Sequence, residues 1–170
     1  MNGTSTKLEW RTITTGLRFP EGPVALPDGS VVLVEIERGA ITRVSPDGTK
    51  AVVAEPGGGP NGMALGPDGK LYVCNNGGFN WHRGPGDFRP IGIADSYSGG
   101  RIERVDLKTG RIETLFTHCD GRPLNGPNDI VFDRHGGYYF TDLGKVRGRI
   151  WDRGAVYYAA PDGKSLKEVI

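Results

Sequence analysis

Three oxygen-bearing side chains recur at one place in a repeated pattern. Glu21, Asn61 and Asn128 each follow a proline (Pro20, Pro60, Pro127) and each precede a short apolar run, at 24–26, 63–65 and 130–132. A second set, Glu35, Asn75 and Asp142, stands 14 residues further on in each copy. Carboxylate and amide oxygens gathered at one place are hard donors, and a hard cation such as Ca²⁺ takes about 6–8 of them. A zinc site fits less well, because His82, His118 and His135 show no ligand spacing. The same residue types also form ordinary turns, and a repeat copies its turns. From the residues alone, a metal site and plain turn chemistry both stay open.

The elements that would position these groups are strands. The first copy offers apolar or alternating runs at 24–26, 31–35, 40–44 and 50–54, separated by Pro-Asp-Gly turns and by Gly39. The second offers 63–65, 71–75, 101–105 and 111–116, with a long insertion at 76–99 between its second and third runs. The third offers 130–132, 138–142, 155–158 and 166–170. Four short antiparallel strands in about 40 residues are the length of one β-propeller blade. The expected fold is therefore all-β: a propeller of the six-bladed type, with about three four-stranded blades in this chain, over 20–56, 60–117 and 127–170. The run at 8–14 is expected to be a strand of the closing blade. The chain is taken as one incomplete propeller domain over 1–170, the first half of a ring. The alternative is a homodimer that pairs three blades with three.

Antiparallel connectivity puts the start of a first strand and the end of a second at the same sheet edge. Glu21 and Glu35 should then share a rim, as should Asn61 and Asn75, and Asn128 and Asp142. First strands of blades line the central channel, so Glu21, Asn61 and Asn128 should converge on its mouth. The Asp-Gly turns should face the other side. Asp129, beside Asn128, is expected to orient that loop or to cap backbone amides. The insertion carries Phe79, Trp81, His82, Phe88 and Tyr97, and it reads either as a lid over the channel or as a surface loop packed on a neighbouring blade.

Composition narrows the classes of function. Glycine supplies 28 of 170 residues, about twice the usual share, without a collagen period, as tight turns require. The 21 basic and 20 acidic residues balance to +1, and no basic run suggests nucleic-acid binding. No apolar run is long enough for a membrane span or a secretion signal, so a cytoplasmic protein is expected. Cys74 and Cys119 form no CxxC pair and imply no disulfide framework. The stretch 57–62 formally matches GxGxxG but leads into a strand, which argues against phosphate binding.

Several stretches resemble the regucalcin, gluconolactonase and luciferin-regenerating-enzyme family of six-bladed propellers. They are Leu17-Arg18-Phe19-Pro20-Glu21-Gly22-Pro23, Gly59-Pro60-Asn61-Gly62, Cys74-Asn75-Asn76-Gly77-Gly78, Ser98-Gly99-Gly100-Arg101-Ile102 and the run from Arg122 to Asp129. The resemblance implies a metal-dependent hydrolase of sugar-type lactones, gluconolactonase-like. The family's divalent metal would be Ca²⁺ by preference, with Zn²⁺ or Mg²⁺ as alternatives. By position, Glu21 and Asn128 match two of the family's metal ligands, while the matching later Asn and the Asp used as general base would lie beyond Ile170. Asn61, Asn75, Asp129, Asp142, Trp81 and Arg122 are candidates for the rim or for substrate contact. Gly126 stands where some animal members carry an arginine, and Arg122 is the candidate replacement. With two ligands, the chain alone is expected to bind metal weakly and turn over little lactone. A non-enzymatic propeller that binds Ca²⁺ or a partner, or an inactive fragment, are the competing readings.

Overall fold

Pro-Asp-Gly turns at 27–29, 46–48, 67–69 and 161–163 set the hairpins of this chain. In each, the aspartate carboxylate accepts a backbone N–H two residues on: Ser30 to Asp28 (3.1 Å), Thr49 to Asp47 (2.9 Å), Lys70 to Asp68 (3.1 Å) and Lys164 to Asp162 (2.8 Å). Glycine then supplies the left-handed step, as at Gly29 (φ 81°). The Ser30 hydroxyl and N–H hold the Asp28 carboxyl below the usual carboxylate range, and the backbone N–H groups of Thr49 and Lys164 do the same for Asp47 and Asp162.

The computed structural model describes residues 9–170. The first sheet runs β1 (Pro20–Ala25), β2 (Val31–Glu35), β3 (Ala40–Val44) and β4 (Lys50–Ala54), in that spatial order. The second begins with β5 (Pro60–Leu65) and β6 (Leu71–Asn75). After the separate hairpin β7 (Phe79–Gly84) and β8 (Asp87–Ile93), it continues with β9 (Arg101–Val105) and β10 (Ile112–Phe116). A short pair, β11 (His118–Cys119) and β12 (Arg122–Pro123), leads to the third sheet. That sheet holds β13 (Pro127–Phe132) and β14 (Tyr138–Asp142). The small hairpin β15 (Val146–Arg147) and β16 (Ile150–Trp151) follows, and then β17 (Ala155–Ala159) and β18 (Leu166–Glu168) complete it. All pairings are antiparallel. The architecture is all-β, and no helix of the described residues is long and apolar enough to cross a membrane.

The sheets stack face to face. Val32, Val34 and Ile41 of the first repeat meet Met63, Leu71, Val73 and Val105 of the second in one buried core. Cys74 and Ile102 meet Ile130, Tyr138, Phe140 and Tyr157 in the other. Each fully buried side chain of this size contributes roughly 1.5–3 kcal/mol. Residues 32–35 of β2 are all buried, which fits its doubly apolar sequence and central place. The inner strands β1, β5 and β13 lie side by side.

The strand expected over 8–14 is not formed among the described residues. Leu8 lies outside them, and residues 9–17 join no ladder. They run beside the first sheet, where Lys50 Nζ donates to the Thr15 carbonyl (2.6 Å). Residues 11–14 flank a recess there of about 450 Å³, shared with Val31, Leu33 and Val44. Among the described residues no strand pairs with this segment, so it joins no sheet.

Candidate active site

Every inner strand is bulged at the same repeat position. The register slips between Glu21 and Val24 in β1, between Pro60 and Met63 in β5, and between Pro127 and Ile130 in β13. A bulge bends its strand and re-aims its side chains. Glu21 borders the first bulge, and Asn61 and Asn128 sit inside the other two. The three residues, with Asp129, line one recess of about 330 Å³ between the inner strands. Asn61 Nδ2 donates to Asn128 Oδ1 across two sheets (2.9 Å). The Glu21 carboxylate is exposed, and among the described residues it accepts only the long Gly22 N–H bond (3.3 Å). Among the described residues no Lys, Arg or His side chain pairs with it.

Two glycines let these strands come together. A Cβ on Gly22 would meet the Asn61 carbonyl oxygen at 2.7 Å, and one on Gly62 would meet the Asn128 carbonyl oxygen at 2.4 Å. The residue after each of the first two site side chains therefore has to be glycine. Asp129 takes that position in the third repeat. Its Oδ1 accepts the Ile130 N–H (2.9 Å), so it caps its own strand at the edge of the recess.

One strand away from the recess, at the same sheet edges, lies a second tier. Glu35 is fully buried; its Oε2 accepts the Arg18 N–H (2.7 Å) and its Oε1 the Thr42 hydroxyl (2.6 Å), with the Arg38 guanidinium 3.4 Å away. Asn75, also fully buried, accepts from Gly59 N (2.9 Å) and Gly77 N (3.1 Å) and donates to Gly57 O and Glu103 Oε2 (both 2.9 Å). Asp142 accepts from the backbone N–H groups of Asn125 (2.8 Å), Gly126 (2.7 Å) and Gly144 (2.7 Å). Each of these side chains grips the backbone two or three residues ahead of Glu21, Asn61 or Asn128. Asn75 and Asp142 stand at the expected sheet edge, across from Pro60 and Pro127, but they are buried braces and not open to a ligand.

Residues 19–170 match the family model described as the SMP-30/Gluconolactonase/LRE-like region. The chain belongs to that family. It is 27% identical over 182 residues to a gluconolactonase of Zymomonas mobilis subsp. mobilis, an alignment covering 94% of this chain and 44% of the relative. It is 31% identical over 150 residues to the lactonase drp35 of Staphylococcus aureus, covering 84% of this chain and 38% of the relative. The chain thus spans less than half the length of these two relatives. Its fold resembles that of a gluconolactonase from Xanthomonas campestris, with a TM-score of 0.67 at 23% identity, over 91% of this chain and 48% of that one.

Within this SMP-30/gluconolactonase-like chain, the remaining expected site residues lie away from the recess. Trp81 packs on Phe19 (ring centroids 4.8 Å), Phe88 (5.1 Å) and Phe79 (6.0 Å). No residue of the β7–β8 hairpin lines the recess; the hairpin leans on the loop ahead of β1. Arg122 pairs with Glu168 of β18 (2.7 Å). Burial pushes the Cys74 and Cys119 thiols up, so neither is a ready thiolate.

The donor set decides which metal chemistry the recess suits. Glu21 offers an anionic oxygen, and Asn61 and Asn128 offer amide oxygens. That set suits a hard cation and not a soft one. No group of three or more His, Cys, Asp or Glu among the described residues could hold a metal ion by itself. The bracing role of Glu35, Asn75 and Asp142 is absent from the sequence reading, although their constant spacing was the signal for it. The glycines after Glu21 and Asn61 were the other signal left unread.

Proposed function

We propose that the protein to which these residues belong hydrolyses sugar-type lactones with a divalent cation, preferably Ca²⁺, at the mouth of a six-bladed propeller channel. The observation that carries this reading is the meeting of Glu21, Asn61 and Asn128, from three separate sheets, on one recess. Glu21 and Asn128 would hold the cation, and Asn61 would orient Asn128 through its 2.9 Å bond. When bound, the cation would polarise the carbonyl oxygen of the lactone. The chain's own contribution is placement. Glu21 supplies the negative charge that attracts the cation, and the braces Glu35, Asn75 and Asp142 keep the three loops from drifting. Amide and carboxylate edges around the recess suit the hydroxyls of a neutral sugar lactone. The carboxylate that takes the proton from water is not assigned among these residues.

Family membership and the names of the relatives support the reaction class, and the hard-donor set supports the metal. The test is Glu21→Gln, which keeps the side-chain size and removes the charge. Ca²⁺ affinity measured by calorimetry should fall by about 10–100-fold, and gluconolactone hydrolysis should fall with it. Unchanged Ca²⁺ affinity would end the metal reading.

A further inference from the structure

Phe19 and Asp120 are the non-glycine residues with positive φ among the described residues, at 57° and 48°. Left-handed backbone is unfavourable for a bulky side chain and persists only where its surroundings over-determine it. At Phe19 the surroundings come from two directions. From its own sheet, the Phe19 carbonyl accepts the Ile36 N–H (3.1 Å) and the Arg18 carbonyl accepts the Glu37 N–H (3.3 Å). From the second sheet, Trp81 and Phe88 of the β7–β8 hairpin close on the ring, at 4.8 and 5.9 Å between centroids. Trp81 and Phe88 are themselves stacked, at 5.1 Å and 23°. Arg83 of the same hairpin pairs with Glu37, which also faces Arg18.

The other end of this insertion is anchored as well. Lys145 Nζ sits over the Phe79 ring (4.4 Å to the centroid), and the Tyr97 hydroxyl donates to the Asn125 carbonyl (2.8 Å). One insertion of the second sheet therefore ties the loop ahead of Glu21 to the loop ahead of Asn128. Phe19 precedes Glu21 by two residues, with Pro20 between them as a stiff link.

We propose that the β7–β8 hairpin is a strap that positions Glu21: Trp81 and Phe88 grip Phe19, hold its left-handed backbone, and so fix where the Glu21 carboxylate enters the recess. Trp81 and Phe19 are positioning residues and touch neither metal nor substrate. The part of this inference that concerns Ca²⁺ rests on the metal reading above; the mechanical part does not.

Amide hydrogen exchange on the full chain tests the mechanical part without any metal. Trp81→Leu should speed exchange at Ile36 and Glu37 by about tenfold or more, as a local opening does, and leave the β2 core amides of Val32 and Val34 unchanged. Trp81→Phe should restore the protection. Unchanged exchange at Ile36 and Glu37 would overturn the strap, and so would a uniform rise across all sheets.

Ca²⁺ titration tests the link to the site. In a Trp10→Phe, Trp151→Phe background Trp81 is the single tryptophan, and its emission should shift with Ca²⁺. Phe19→Leu should remove the shift and weaken apparent Ca²⁺ affinity about tenfold, with recovery in Phe19→Tyr. If Glu21→Gln abolishes Ca²⁺ binding while Phe19→Leu leaves it intact, the strap fails and the metal reading stands. If Glu21→Gln leaves Ca²⁺ binding intact, the metal reading fails, and the exchange result alone decides the strap.

Discussion

Two tiers of nearly identical chemistry stand on adjacent strands at the same sheet edges, and they have opposite fates. Glu21, Asn61 and Asn128 form the upper tier, open to the recess; Glu35, Asn75 and Asp142 form the lower, buried one. Each tier holds carboxylate and amide side chains, one from each repeat, at a constant offset. In the lower tier every side chain is buried and bonded to backbone N–H groups of the loop beside it. In the upper tier the side chains are exposed or half-buried, and the Glu21 carboxylate has one long bond. Residue type does not make a group available to a ligand. What decides is whether backbone donors stand within reach and have already taken its lone pairs. The lower tier is the reason the upper one can remain unsatisfied, because it fixes the loops that the upper side chains stand on.

The largest effect should follow from breaking the lower tier. Asp142→Ala leaves three backbone N–H groups, the buried one of Gly126 and the half-buried ones of Asn125 and Gly144, without an acceptor. Urea unfolding should show a loss of about 3–5 kcal/mol. A smaller loss, about 1–3 kcal/mol, is expected for Gly62→Ala, whose Cβ would force β5 away from β13. Parting those strands should also lengthen the Asn61–Asn128 bond, visible as a shift of their side-chain amide signals in NMR.

Lys145 sharpens the comparison, because its charge lies close to the lower tier. Burial pushes its amine down to about 8, against the pull of Asp142 and with the repulsion of Arg147. Between that value and the ordinary lysine range, the unfolded chain keeps a proton that the native chain has released. Stability should therefore rise with pH across this window, by about 1 kcal/mol per pH unit, and level off below pH 8. Lys145→Met should flatten the slope in denaturant titrations at pH 8, 9 and 10. The smallest effect on stability is expected in the upper tier. Glu21→Gln should change the unfolding free energy by no more than about 0.5 kcal/mol while changing Ca²⁺ affinity. A stability loss as large as that of Asp142→Ala would erase the distinction between the tiers.

Much of this arrangement was legible in the residues. The Pro-Asp-Gly turns and apolar runs located all three sheets, since turn chemistry and strand period are local properties. The meeting of Glu21, Asn61 and Asn128 followed from the propeller pattern, in which the first strands of successive blades lie together. The depth of Asn75 and Asp142 was not legible, because it depends on which loop amides fold back toward them. The run at 8–14 alternates like a strand, yet a strand exists only with a neighbour, and pattern alone does not supply one. Trp81 was a candidate for the rim in an insertion read either as a lid or as a loop packed on a neighbouring blade, because aromatic side chains in an insertion carry no sign of direction; the packed loop is what its contact with Phe19 shows. Its seat on Phe19 depends on a left-handed backbone that a phenylalanine does not advertise.

The change from glycine to aspartate after the third site residue bears on the symmetry of the opening. Gly22 and Gly62 let β1, β5 and β13 nest at backbone contact, and Asp129 lays its carboxylate against Gly62, where a Cβ would stand 2.6 Å from its Oδ1. A side chain at position 62 would collide with both the backbone and the carboxylate of the next repeat, so the third repeat has room for an aspartate because the second carries a glycine. The recess is therefore lopsided in charge although its backbone repeats: the carboxylate of Asp129 sits over the seam between β5 and β13, and nothing but glycine stands at the matching place between β1 and β5.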